Sequence, residues 1–129
     1  MLLTALALSL ATQSCRSYDT ALPRSLRGWT RSGRVLDTGH AVTLPRTGDS
    51  IRTLLRIRKA GTFGIALSEP GWIDVSPERG KPLDSVAHGH GPQCSTIRKI
   101  VRYKLRPGTY RVTVNKLKAT RARLMLVSY

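Results

Sequence analysis

The sequence predicts an all-β fold, an antiparallel β-sandwich or jelly-roll-like domain of about seven to eight short strands. Three observations predict it. Short segments alternate apolar and polar residues with period two, Pro- and Gly-containing turn signals separate them, and no segment holds a helical period.

The first alternating segment covers residues 40–44. In residues 50–59, Leu55 and Ile57 face one way and Arg56 and Arg58 the other. Residues 62–67 place Phe63, Ile65 and Leu67 on one face. Pro70 and Gly71 mark a turn, residues 72–75 give a short strand, and residues 77–80 (Pro-Glu-Arg-Gly) give a hairpin-like turn. Residues 85–90 form the next strand. In residues 99–105, Val101, Tyr103 and Leu105 alternate with Arg102 and Lys104. Arg106, Pro107 and Gly108 turn the chain into residues 109–114, with Tyr110, Val112 and Val114 inward, and a last strand runs over residues 121–127. These inward sets are the expected core, with Trp72 packed beside them. Residues 15–40 hold no period and read as an extended lead-in carrying Trp29.

Residues 1–11 are an uncharged, largely apolar run of about signal-peptide length, too short to span a bilayer. Residues 1–14 are therefore expected to be a leader, although no Lys or Arg precedes the apolar run; either the true start lies upstream or the leader is a weak one. Residues 41–129 are the expected β-sandwich domain, enough chain for one modest core. Two cysteines, Cys15 and Cys94, read as a disulfide in a periplasmic or secreted protein. Closing so long a loop is worth roughly 4 kcal/mol in the chain-entropy view. Cys15 also invites a lipoprotein reading, but Thr12 stands where a lipobox wants Leu.

The charge is far from neutral: 22 Lys and Arg against 7 Asp and Glu, a formal net +15. Such a field favours polyanionic partners, here anionic envelope components such as lipid head groups or acidic polysaccharide. It attracts without defining a site, and the excess of Arg over Lys is also what a high-GC coding sequence produces. From residue 95 to the end there are ten basic residues and no acid. Arg102, Lys104 and Arg111 are expected to share one solvent face as a polyanion surface; the competing reading is a solvated sheet face with charge-protected edges. Nucleic acid is not the expected partner, because aromatics make up only 5% and do not interleave with the basic residues as a base-stacking surface requires.

The densest chemical signal is the run Ser85, Val86, Ala87, His88, Gly89, His90, Gly91, Pro92, Gln93, Cys94. On a strand His88 and His90 point to the same face, and two neutral imidazoles so placed can bind Zn or Cu. Gly89 and Gly91 leave room for close approach. Cys94 is a third candidate ligand as a thiolate, with His40 and Asp84 as outer members; oxidation of Cys94 with Cys15 excludes that role. Hydrolytic classes lack their signatures: there is no G-x-S-x-G elbow, no H-E-x-x-H and no Gly-rich phosphate loop. Seven carboxylates in all argue against a paired-carboxylate glycosidase. No catalytic residue is expected.

The run Pro70, Gly71, Trp72, Ile73, Asp74, Val75, then residues 85–94, then Ile97, Arg98, Lys99 and residues 105–110 (Leu-Arg-Pro-Gly-Thr-Tyr) resembles small exported proteins of alphaproteobacteria of the sphingomonad type. The resemblance covers about residues 55–115 and implies a leader, an early Cys and a body ending in a Pro-Gly turn and a strand. It implies no established activity. Some such proteins carry the label homogentisate 1,2-dioxygenase, which implies Fe(II) held by two histidines and a carboxylate. This chain departs from that pattern: Cys94 occupies the neighbourhood where a Glu is needed, and no acid follows Asp84, leaving Asp74, Glu78 and Asp84 as the only nearby carboxylates in sequence. The expectation is a non-catalytic, exported binding or envelope-structural module, with metal binding through His88 and His90 as one alternative and an Fe(II) oxygenase as another.

Overall fold

The computed structural model of the chain describes residues 14–129. The expected leader lies outside the described residues, apart from Ser14. Eight strands follow in order: β1 (Val42–Pro45), β2 (Ile51–Ile57), β3 (Gly61–Leu67), β4 (Trp72–Pro77), β5 (Ala87–His90), β6 (Lys99–Leu105), β7 (Gly108–Asn115) and β8 (Arg121–Ser128). They form two antiparallel sheets, one of five strands in the order β1-β8-β3-β6-β5 and one of three in the order β2-β7-β4. The all-β sandwich expected from alternation is the fold the chain adopts, and each strand falls on a segment where the alternation placed one.

The period of two sets the core. Ile51, Leu55, Ile57, Val112, Val114, Ile73 and Val75 from the small sheet meet Ile65, Leu67, Val101, Tyr103, Leu105, Leu124 and Leu126 from the large one. Phe63 is only partly buried against this cluster. The Tyr110 hydroxyl donates to the Arg106 carbonyl (2.7 Å) and accepts from the Arg106 amide (3.0 Å), closing the β6–β7 turn.

A second cluster lies on the other side of the five-stranded sheet. Ala66, Met125 and Val127 face away from the sandwich interior and pack against Leu26, Trp29, Ala41 and Ile97. The covering layer is the N-terminal segment. It is not an extended lead-in as expected: residues Arg24–Thr30 wind into a 3-10 helix that buries Leu26, Gly28 and Trp29. A Cβ on Gly28 would meet the Gly39 carbonyl carbon at 2.7 Å, so only glycine lets this helix lie so close to the chain leading into β1.

Of the two tryptophans, Trp72 departs from the expectation. Trp29 is 0% exposed, and Trp72, expected beside the core, is 59% exposed. The reason is parity. On β4, Ile73 and Val75 take the inward positions, so Trp72 and Asp74 must point out.

Three bonds tie down the free edge of β4. The carbonyls of Gly71, Ile73 and Val75 accept from Lys99 Nζ (2.7 Å), the Tyr103 hydroxyl (3.1 Å) and the Leu83 amide (2.8 Å). Each would otherwise be an open ladder position inviting another strand. Burial, with the Asp74 carboxylate nearby, pushes the Tyr103 phenol up to about 12, which keeps it a donor across the physiological range.

Candidate functional site

Cys15 and Cys94 form a disulfide, with the Cα atoms 5.3 Å apart across 79 residues of sequence. The pairing expected from the sequence is the one the chain makes. It also takes Cys94 away from any metal, and takes the Cys15 sulfur away from thioether lipidation. The bond anchors the N-terminal layer, and neighbouring contacts reinforce it. The Asp19 amide donates to the Cys94 carbonyl (2.9 Å), the Thr96 amide donates to Asp19 Oδ1 (2.8 Å), the Thr96 hydroxyl donates to Asp19 Oδ2, and Trp29 Nε1 donates to Thr96 Oγ1 (2.8 Å). A disulfide of this kind belongs to an oxidising compartment.

Register decides where the histidines point. On the edge strand β5, His88 pairs with Val101 and His90 with Lys99, while Gly89 pairs with Ile100. Directly opposed residues share a face. Both imidazoles therefore lie on the side of Val101, over the gap between the two sheets. Gly91 serves packing instead of ligand approach: a Cβ there would meet the Ile97 carbonyl oxygen at 2.2 Å. His40, an expected outer ligand, lies elsewhere and pairs with Asp37 through Nδ1 (3.2 Å). Among the described residues, no three His, Cys, Asp or Glu side chains are grouped so as to hold a metal ion.

The gap is a cleft of about 610 Å³ between the edges of β4 and β5. Its floor is the inner face of β6, with Val101 and Tyr103, and Ile73 adds to it from β4. Residues 82–85 close one end, bringing Leu83 and Asp84 to the wall. Trp72 stands at the rim, its Nε1 donating to Asp74 Oδ1 (3.1 Å). A mainly apolar hollow with a few convergent polar groups is the usual form of a small-ligand site. The sequence signalled His88 and His90 but not the cleft, because the floor and the far wall come from β6 and β4, distant in sequence.

The expected polyanion surface divides. Arg102 and Lys104 project from β6 on the outer side of the five-stranded sheet, whereas Arg111 projects from β7 on the outer side of the three-stranded sheet. These are opposite faces of the sandwich. The expectation of one shared face fails because β6 and β7, although joined by a tight turn, belong to different sheets. The Arg102 guanidinium lies 3.9 Å from the centre of the Tyr129 ring, stacked over it.

Arg111 has other basic neighbours. It pairs directly with Leu54 on β2, which puts Arg52 and Arg56 at its two diagonals on the same outward face. Thr113 and Thr109, the partners of Arg52 and Arg56, lie between and alongside them. Leu54 is 61% exposed at the centre of this face. The signal for Arg52 and Arg56 was present in the alternation of residues 50–59, but their partnership with Arg111 needed the strand order. No family model, no curated protein and no solved structure matches the chain, so its likeness to known proteins assigns neither face nor cleft a role.

Proposed function

We propose that the protein is an exported, periplasmic or secreted, non-catalytic binding module of the cell envelope. It holds closely spaced anionic oxygens, phosphate or carboxylate, on the outer face of its three-stranded sheet. The observation that carries the reading is the outward face on which Arg111 has Arg52 and Arg56 at its β2 diagonals, with threonine hydroxyls beside them. On the β4 side Asp74 lies at a diagonal of Arg111, and one Arg111 Nη donates to the Gly80 carbonyl (3.4 Å). Guanidinium forks with neighbouring hydroxyl donors suit phosphate and carboxylate groups. The net charge of +15 adds long-range attraction toward the same ligands.

The test is binding to vesicles containing anionic lipid and to an immobilised acidic polysaccharide, across a salt series. An Arg52→Ala, Arg56→Ala, Arg111→Ala variant is expected to lose most of the binding, and an Arg102→Ala, Lys104→Ala variant to keep most of it. The vesicle and polysaccharide arms separate the two sources of the anion. Affinity indifferent to ionic strength, or retained by the triple variant, would overturn the proposal.

A second reading is favoured by one observation, the two imidazoles of β5 on a common face of the cleft. It is a Zn or Cu site through His88 and His90. It predicts close to one metal equivalent in the purified protein and its loss in a His88→Ala, His90→Ala variant; metal retained by that variant would sink it. The Fe(II) oxygenase suggested by resemblance has less support, since the two histidines lack a grouped carboxylate among the described residues.

A further inference from the structure

We infer that the cleft between β4 and β5 is a second binding site, adjoining the arginine face through Trp72 and Asp74 on the outward side of β4 but distinct from its arginines, and that it takes a neutral sugar ring stacked on Trp72. The charge of the cleft runs against that of the molecule. Two of the seven carboxylates in the chain, Asp74 and Asp84, line it, against one, Lys99, of its 22 Lys and Arg. That lysine already donates to the Gly71 carbonyl at 2.7 Å. An anionic ligand would therefore find carboxylates and a cation engaged elsewhere. A cationic ligand would meet the repulsion of a +15 body before reaching the cleft. What the carboxylates and the imidazoles of His88 and His90 match is a neutral ligand rich in hydroxyl groups, which donates to the former and exchanges hydrogen bonds with the latter.

The rim supplies the other half of sugar recognition. Trp72 presents a largely exposed indole, 59% accessible, and its Nε1 bond to Asp74 fixes the ring orientation before any ligand arrives. A pyranose has one face of C–H groups and an equator of hydroxyls. The C–H face fits an aromatic platform, and the hydroxyls fit the polar walls. The volume of about 610 Å³ accommodates one ring with its neighbours extending outward along the open edge.

The experiment titrates the disulfide-intact protein with cellotriose, maltotriose and chitotriose in about 0.5 M salt, where attraction between exposed charges is strongly screened. Trp29 is sealed at 0% exposure, so a change in tryptophan emission and a fall in acrylamide quenching report on Trp72. At least one trisaccharide is expected to give a saturable change. Calorimetry should then show binding weakened ~10-fold or more by Trp72→Ala and about fivefold by Asp84→Asn. The Arg52→Ala, Arg56→Ala, Arg111→Ala variant should bind as the native protein does, which separates this site from the polyanion proposal. Absence of binding by all three sugars overturns the inference, as does binding unaffected by Trp72→Ala. Protection of Trp72 by tetramethylammonium in place of sugar would reassign the cleft to cations and equally overturn it.

Discussion

The two tryptophans of this protein have the same side chain and opposite situations. Trp29 sits beneath the N-terminal layer on the outer side of the five-stranded sheet, fully buried, its indole N–H donating to Thr96. Trp72 stands on the rim of the inter-sheet cleft, mostly exposed, its indole N–H donating to Asp74. Both polar handles are satisfied, so satisfaction does not separate them. What separates them is cover. A disulfide, the Asp19 contacts and a 3-10 helix close over the first, and nothing in the described fold closes over the second. The protein thus seals one sheet face and leaves the opposite edge open, and the open edge is where a ligand can enter.

The largest effect should come from the sealed side. Trp29→Ala is expected to cost about 3–5 kcal/mol in denaturant unfolding, the usual range for removing a buried aromatic. If it cost less than ~1 kcal/mol, the N-terminal layer would be an ornament and the contrast between the two tryptophans would fall. Replacing both cysteines by serine comes next, with a loss of roughly 2–4 kcal/mol. The loss should be accompanied by faster amide exchange in residues 15–31 than in β6 and β8, because the bond anchors that layer and not the sandwich itself.

Tyr103 joins the sheets beside the open edge and gives a pH test. Its folded pKa is raised from 10.0 to about 12, so the stability it contributes is full below pH 10 and is lost as pH rises through 12. Native protein should lose on the order of 2–3 kcal/mol more than Tyr103→Phe over that interval. At neutral pH the same change should cost about 1–2 kcal/mol, because the buried carbonyl of Ile73 loses its donor. Parallel alkaline curves for the two proteins would contradict this role. The smallest effect belongs to Trp72→Ala, expected to move unfolding by no more than about 0.5 kcal/mol, as for an exposed substitution. A large loss there would make Trp72 a structural residue and weaken its assignment as a binding platform.

Much of this was legible in the sequence, and the misses have definite causes. Alternation gave the strands and most of the core because one face of each strand is buried and the other solvated. It also held the answer on Trp72, since Ile73 and Val75 are on the opposite parity. Tryptophan tends toward burial, but on an edge strand the parity of its neighbours overrides that tendency. Trp29 left no periodic signal because a 3-10 helix of seven residues is too short to show one. A trace of its cover lay at the other end of the chain: Leu124, Met125, Leu126 and Val127 form an unbroken apolar run, the mark of a strand buried on both faces. Among site residues, the adjacency of His88 and His90 was legible from spacing alone. Their neighbours in the cleft were not, because Trp72, Asp74 and Tyr103 reach them through strand order.

By itself, the sequence determined the fold class, the strand positions, the disulfide partners and the basic character. Each follows from local periodicity or from counting, and needs no knowledge of which strands are neighbours. Tertiary structure alone decided that Arg111 lies on the opposite face from Arg102 and Lys104, that the N-terminal segment covers one sheet, and that a cleft opens at the β4 and β5 edges. These depend on how strands sort between two sheets. A turn of two or three residues can join strands of the same sheet or carry the chain across to the other, and the alternation along each strand is the same in both cases.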